Sequence, residues 1–150
     1  MITIGFTGTK EGLTEKQKDT LISFIACEVE LNNNEIIGRH GDCIGADATF
    51  NSICEALGVS VIIHPGKNKF GQSPTRAHCG KNKKETIILE EKEYLVRDDD
   101  ITKECTFLVA CPKEKKEQLR SGTWTTVRRA RKRNKPVVLI FNDGSINDGR

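Results

Sequence analysis

Cys105-Thr106-Phe107-Leu108-Val109-Ala110-Cys111-Pro112, followed after a charged loop by Arg120-Ser121-Gly122-Thr123-Trp124-Thr125-Thr126-Val127, decides the fold class. Thr106 to Cys111 is a short apolar run rich in β-preferring residues and stopped by a proline, which predicts a buried strand. Ser121-Gly122-Thr123 then opens a segment of helical character that runs to about Asn134. A strand, a loop and a Ser-Gly-Thr at a helix start form an anion-binding device. The unpaired N–H groups of the first turn and the positive end of the helix dipole point the same way. Many α/β proteins carry such a start only as a cap, so its weight depends on other loops meeting it.

Working outward, Ile2 to Thr7 predicts a first strand, followed by the loop Gly8-Thr9-Lys10-Glu11-Gly12. Thr14-x-x-Gln17 is a capping box, and Leu21, Ile22, Ile25 and Val29 give the helix behind it an apolar stripe to about Leu31. Glu35 to Arg39 predicts a second strand that ends in His40-Gly41-Asp42-Cys43-Ile44-Gly45-Ala46-Asp47, with a helix from there to about Leu57. Val59 to His64 predicts a third strand. Residues 65–85 form a long irregular loop with scattered Gly, Pro, Lys and Asn, and such loops are usually functional or mobile. Thr86 to Leu89 has brief extended character. Tyr94, Arg97, Ile101 and Cys105 recur at helical spacing, with aspartates near Asp98 placed for a first turn. Val137 to Phe141 is a last strand, and the polar tail 143–150 is expected to fray.

The alternation predicts one α/β domain over 1–150, Rossmann-like and doubly wound, with about five mostly parallel strands and helices on both faces. Ligands of such sheets bind at the carboxyl ends of the strands, near the point where the strand order reverses. Gly8-Thr9-Lys10, His40 to Asp47 and Arg120 to Trp124 each follow a strand, so all three fall on that edge and raise the expectation of a phosphate-containing ligand.

Composition narrows the class. The chain of 150 residues has a formal charge of +3 with 30% charged residues, too modest a balance to imply nucleic acid. No apolar run approaches the ~20 residues that span a bilayer, and no signal-peptide pattern precedes the first strand. The six cysteines sit singly, without C-x-x-C, which fits reduced thiols in a cytoplasmic protein better than disulfides. His40-x-x-Cys43 and His78-Cys79 supply too few ligands for a metal site, so neither metal nor cofactor is expected.

Gly41-Asp42-x-x-Gly45-Ala46-Asp47, Arg97 followed by Ile101, the strand ending Ala110-x-Pro112, and Arg120-Ser121-Gly122-Thr123-Trp124 together resemble the SLOG superfamily over residues 2–141. That group unites Smf/DprA proteins, the LOG phosphoribohydrolases and nucleotide-sensing domains of bacterial and phage conflict systems. The resemblance implies a Rossmannoid nucleotide-binding domain. Its implied ligand contacts are Gly8, Thr9, Lys10, His40, Gly41, Asp42, Gly45, Ala46, Asp47, Arg97, Arg120, Ser121, Gly122, Thr123 and Trp124. Gly122-Thr123 matches the phosphate-binding Gly-Thr of the LOG pattern, but the catalytic glutamate falls at Thr126. An oxocarbenium-like transition state wants a carboxylate, so no catalytic residue is assigned.

The expected function is therefore binding, sensing or sequestering a small nucleotide-derived ligand, such as an ADP-ribose derivative or a cyclic oligonucleotide. A phage-encoded sponge is one form of it. The alternatives are a LOG-like N-glycosidic hydrolase using Asp47, Asp42 or His40, and a DNA-processing module using the basic run Arg128 to Lys135. A homodimer or larger homo-oligomer is expected, with the 65–85 loop (Lys67, Lys69, Arg76, Lys81, Lys83, Lys84) or a second subunit as a lid. Bland alternatives stand beside these: glycines for tight turns, Asp47 for the helix dipole, Arg97 for its aspartate neighbours, Trp124 for core packing.

Overall fold

The computed structural model describes residues 1–80 and 85–150. Its chain order is β1 (Ile2–Gly8), α1 (Glu15–Leu31), β2 (Ile36–His40), α2 (Ala46–Ala56), β3 (Ser60–Ile63), β4 (Gly66–Lys67), β5 (Thr86–Ile88), β6 (Lys92–Glu93), α3 (Tyr94–Glu104), β7 (Phe107–Cys111), α4 (Gly122–Lys132), β8 (Val137–Ile140) and β9 (Ile146–Asp148). The main sheet has seven strands in the order β5-β3-β2-β1-β7-β8-β9, two more than expected. All its neighbours pair in parallel except β8 with β9. The two extra strands are the brief Thr86–Ile88 segment at one edge and, at the other, a tail that folds back instead of fraying.

Strand β7 shows why the layers form. Phe107, Val109 and Cys111 enter one core cluster with α1 and α2, while Leu108 and Ala110 enter a second with α3 and α4. Side chains alternate across a strand, so an unbroken apolar run must be covered on both faces. Strand β8 repeats the pattern, with Val138 and Ile140 on the first face and Val137 and Leu139 on the second. Each such fully buried aliphatic side chain contributes ~1.5–3 kcal/mol. Phe6 of β1 stacks on Phe50 of α2, ring centroids 4.4 Å apart and 2° from parallel, which seats α2 on the sheet.

The chain runs outward from β1 through β2 and β3 to β5, then crosses back to β7 and β8 on the other side. The reversal therefore lies between β1 and β7, and the loops after both strands open on one edge. Helix α3 begins at Tyr94, so Asp98, Asp99 and Asp100 lie beyond its first turn rather than in it.

The capping box at α1 is present: Gln17 N–H donates to Thr14 Oγ1 at 3.1 Å, and Thr14 N–H donates to Gln17 Oε1 at 3.3 Å. The same Gln17 side chain is fully buried, and its Nε2 donates to the carbonyls of Pro112 (3.2 Å) and Ile140 (2.8 Å). One glutamine thus caps a helix and ties it to the ends of β7 and β8. Gln17→Leu deprives both carbonyls of that donor, and we expect a loss of about 2 kcal/mol in chemical denaturation. A loss below ~0.5 kcal/mol would mean that other donors take its place.

Candidate functional site

A cavity of about 550 Å³ opens at the carboxyl ends of β1 and β7. Its lining comes from the β1 loop (Gly8 to Glu11), the β2 loop (Gly41, Cys43), α2 (Asp47), α3 (Arg97, Asp98, Ile101) and the β7 loop with the start of α4 (Lys113 to Thr126 in part). The volume falls within the ~300–1,000 Å³ common for small-molecule sites.

Helix α4 starts here. Ser121 is its cap, its Oγ accepting from Trp124 N–H at 3.2 Å. The N–H groups of Gly122 and Thr123, both cavity-lining residues, have no hydrogen-bond partner among the described residues. A Cβ added at Gly122 would meet nothing within 4 Å, and its backbone needs no positive φ. Gly8, by contrast, is required by packing, since a Cβ there would come 2.5 Å from the Ala46 methyl.

Helix α2 starts on the same edge but is closed to an anion. Its first N–H, from Ala46, donates to Thr9 O at 3.1 Å. Gly45, at φ +85°, lies so close to Lys10 that any side chain would overlap the Lys10 carbonyl. Asp47 occupies the first turn, with Oδ2 accepting from Gly41 N–H (3.2 Å) and Cys43 N–H (3.1 Å). Burial pushes the Asp47 carboxyl above its ordinary pKa.

Arg97 is 6% exposed and holds the other wall together. Its Nε donates to Asp98 Oδ1 at 2.6 Å, and its Nη1 donates to the carbonyls of Gly41 (2.5 Å) and His64 (3.2 Å). Burial works against its charge, but Asp98, Cys43 and Asp47 around it keep its pKa above the ordinary value. Burial also raises the Asp98 carboxyl, outweighing the pull of Arg97. Arg97 therefore lines the cavity with most of its donors already engaged by the protein.

Of the residues singled out from sequence, Gly8, Thr9, Lys10, Gly41, Asp47, Arg97, Arg120, Ser121, Gly122 and Thr123 line this cavity. His40, Asp42, Gly45, Ala46 and Trp124 are not among its lining residues. His40 is fully buried; its Nδ1 accepts from Asp42 N–H (2.9 Å) and its Nε2 donates to Asn51 Oδ1 (2.8 Å). Asp42 turns away to accept from Arg76 Nε (3.1 Å) and Cys79 N–H (2.8 Å). Trp124 packs in the second core cluster at 3% exposure. Asp98 went unrecognised because a run of three aspartates reads as a dipole-compensating turn. Thr126 lines the cavity, and its Oγ1 donates back to Gly122 O at 3.0 Å, so the position supplies no carboxylate.

The described part of the long loop does not roof the cavity. It lies against the β2 loop, with Ile44 N–H donating to Thr75 O and Ala77 N–H to Asp42 O, both 2.8 Å. Lys81, Lys83 and Lys84 lie outside the described residues. The basic run of α4 is largely occupied: Arg128 pairs with Glu117, Arg129 and Arg133 with Asp99, and Lys135 Nζ donates to the carbonyls of Lys103 and Cys105.

Gly41 gives a clean test of the Arg97 wall, since any Cβ there would overlap the pinned guanidinium. Gly41→Ala should cost ~1–3 kcal/mol by overpacking, whereas Gly122→Ala should stay within about 0.5 kcal/mol. Thermal and urea unfolding of the two variants decide it, and equal stabilities would contradict the clamp.

No protein-family model matches the chain, and no curated protein does. Solved structures do. TM1055, a structural-genomics target, superposes with a TM-score of 0.62 at 12% identity, over 91% of this chain and 72% of that one. DNA processing protein A (DprA) from Streptococcus pneumoniae superposes with a TM-score of 0.65 at 16% identity, over 93% of this chain. The chain spans 50% of that DprA chain. None of the described helices is long and apolar enough to cross a membrane. Both likenesses lie in the fold, an α/β domain with a mostly parallel sheet flanked by helices.

Proposed function

We propose that this protein binds a phosphate-bearing, nucleotide-derived small molecule in the cavity between β1 and β7, and senses or sequesters it. The observation that carries this is Gly122. Neither a positive φ nor a neighbouring atom requires glycine there, yet it stands at a helix start whose first two N–H groups are unpartnered and face a cavity. Close approach of a phosphate to that backbone supplies the missing reason. The neighbouring α2 start, with its first N–H taken and a carboxylate in its first turn, supports α4 over α2 for this role. Lys10 and Arg120 among the lining residues add cations for a phosphate, while Lys113 Nζ is held by Glu11 Oε2 at 2.6 Å.

Sequestration rather than the usual LOG hydrolysis is favoured by Thr126, whose hydroxyl is turned back into its own helix. A DNA-processing role is disfavoured by the internal pairing of the α4 arginines. Leu119, an apolar side chain 87% exposed between the cavity-lining residues Gln118 and Arg120, supports closure against a second copy.

A thermal-shift panel with AMP, ADP-ribose and cyclic dinucleotides tests the main claim. A ligand at 100 times its dissociation constant adds ~2.7 kcal/mol of stability. We expect such a shift in the native chain and none in Gly122→Val, whose side chain would stand where the phosphate approaches. No shift with any phosphate ligand removes the proposal. Light scattering checks the assembly: a mass near twice 16.7 kDa is expected, and 16.7 kDa itself at micromolar concentration rules out the pair.

A further inference from the structure

The cavity is not uniformly cationic. One end carries the free N–H groups of Gly122 and Thr123 with Arg120 beside them; Asp47 and Asp98 also line it, and neither carboxylate is fully partnered. Both hydrogen bonds to Asp47 go to Oδ2, which leaves Oδ1 without a protein partner among the described residues, although the residue is only 6% exposed. The bond to Asp98 goes to Oδ1, which leaves Oδ2 without a protein partner among the described residues on a side chain 18% exposed. Arg97, the guanidinium beside them, has Nε and Nη1 committed to Asp98, Gly41 and His64.

Carboxylate oxygens are acceptors only. Both free oxygens are open to the cavity, and a ligand that displaces the water there has to supply donors in its place or leave them unpaired at a cost. A second phosphate cannot supply them, because its charge has the same sign. Sugar hydroxyls can, and two neighbouring carboxylates suit two neighbouring hydroxyls.

We infer that Asp47 and Asp98 form a wall that takes hydrogen bonds from the free vicinal hydroxyls of a ligand ribose, so the site selects nucleotides with an open ribose diol over cyclic oligonucleotides. This rests on the nucleotide-binding proposal above and narrows it. The phosphate sits at the α4 start, and the sugar presents its 2′ and 3′ hydroxyls to the acidic wall. In a 3′–5′ cyclic dinucleotide one of those oxygens carries a phosphodiester instead. That change removes a donor and adds an anion where two carboxylates already stand.

Calorimetric titration of the intact chain with AMP, 3′-deoxy-AMP, ADP-ribose and cyclic di-AMP tests it. We expect AMP and ADP-ribose to bind roughly tenfold or more tightly than 3′-deoxy-AMP and cyclic di-AMP, the factor that one hydrogen bond to a charged acceptor supplies. In Asp98→Asn, which keeps an amide oxygen for Arg97 Nε, both ratios should shrink at least severalfold. Equal affinities across the four ligands in the native chain, or tighter binding of cyclic di-AMP, overturn the hydroxyl wall while leaving the nucleotide site standing. Unchanged ratios in a folded Asp98→Asn overturn the role of Asp98. No binding of any of the four overturns this inference and the proposal beneath it together. Should Asp98→Asn fail to fold, the native-chain ratios alone decide.

Discussion

A buried cation organises the edge of the sheet where the cavity lies. Arg97 is almost fully removed from water, and an unpaired charge in that position would cost several kcal/mol. The fold answers with acceptors drawn from separate segments: the Asp98 carboxylate on its own helix, the Gly41 carbonyl after β2, and the His64 carbonyl after β3. The Tyr94 ring, with its centroid 5.4 Å from the guanidinium carbon, covers another side. Satisfying one charge therefore fixes the relative position of α3 and two loops. The shape of the cavity is a by-product of that requirement. Gly41 has no side chain because the guanidinium takes the space one would need.

Two helices begin on this edge, each with a glycine and a small residue, and from sequence they look like equivalent anion sites. What separates them is where their first N–H groups go. Helix α2 donates to the β1 loop and carries Asp47 in its first turn, so it serves to lock one loop to another. Helix α4 keeps its first two N–H groups free. That difference depends on how the β1 loop docks, which no local motif encodes.

The sheet core was legible because β7 and β8 are continuous apolar runs, and such runs admit only a strand covered on both faces. The capping box at Thr14 was legible for the same local reason. The small strand β9 was not: Ile146-Asn147-Asp148 is exposed and mostly polar, and it is held by backbone pairing with β8 rather than by a hydrophobic pattern. Helix α3 was found from its periodicity, but its start was misplaced, because aspartates favour a first turn and here answer arginines instead: Asp98 meets Arg97, and Asp99 meets Arg133. His40 and Asp42 looked like ligand contacts by motif. Both are hydrogen-bonded to the protein away from the cavity lining, a placement that depends on Asn51 and the 76–79 segment arriving from elsewhere in the chain.

The close contacts between the β1 loop and α2 bear on the thermodynamics of filling this cavity. Gly8 touches Ala46, Gly45 touches Lys10, and Thr9 O takes both the Ala46 and Gly12 N–H groups. Loop and helix start are thus a single interlocked body with little conformational freedom left to surrender. A molecule entering the site would immobilise chiefly the long side chains of Lys10 and Arg120, at ~0.5–1.5 kcal/mol each. The entropic penalty of association is concentrated in these flexible cations, while the backbone that would meet the ligand is ordered in advance.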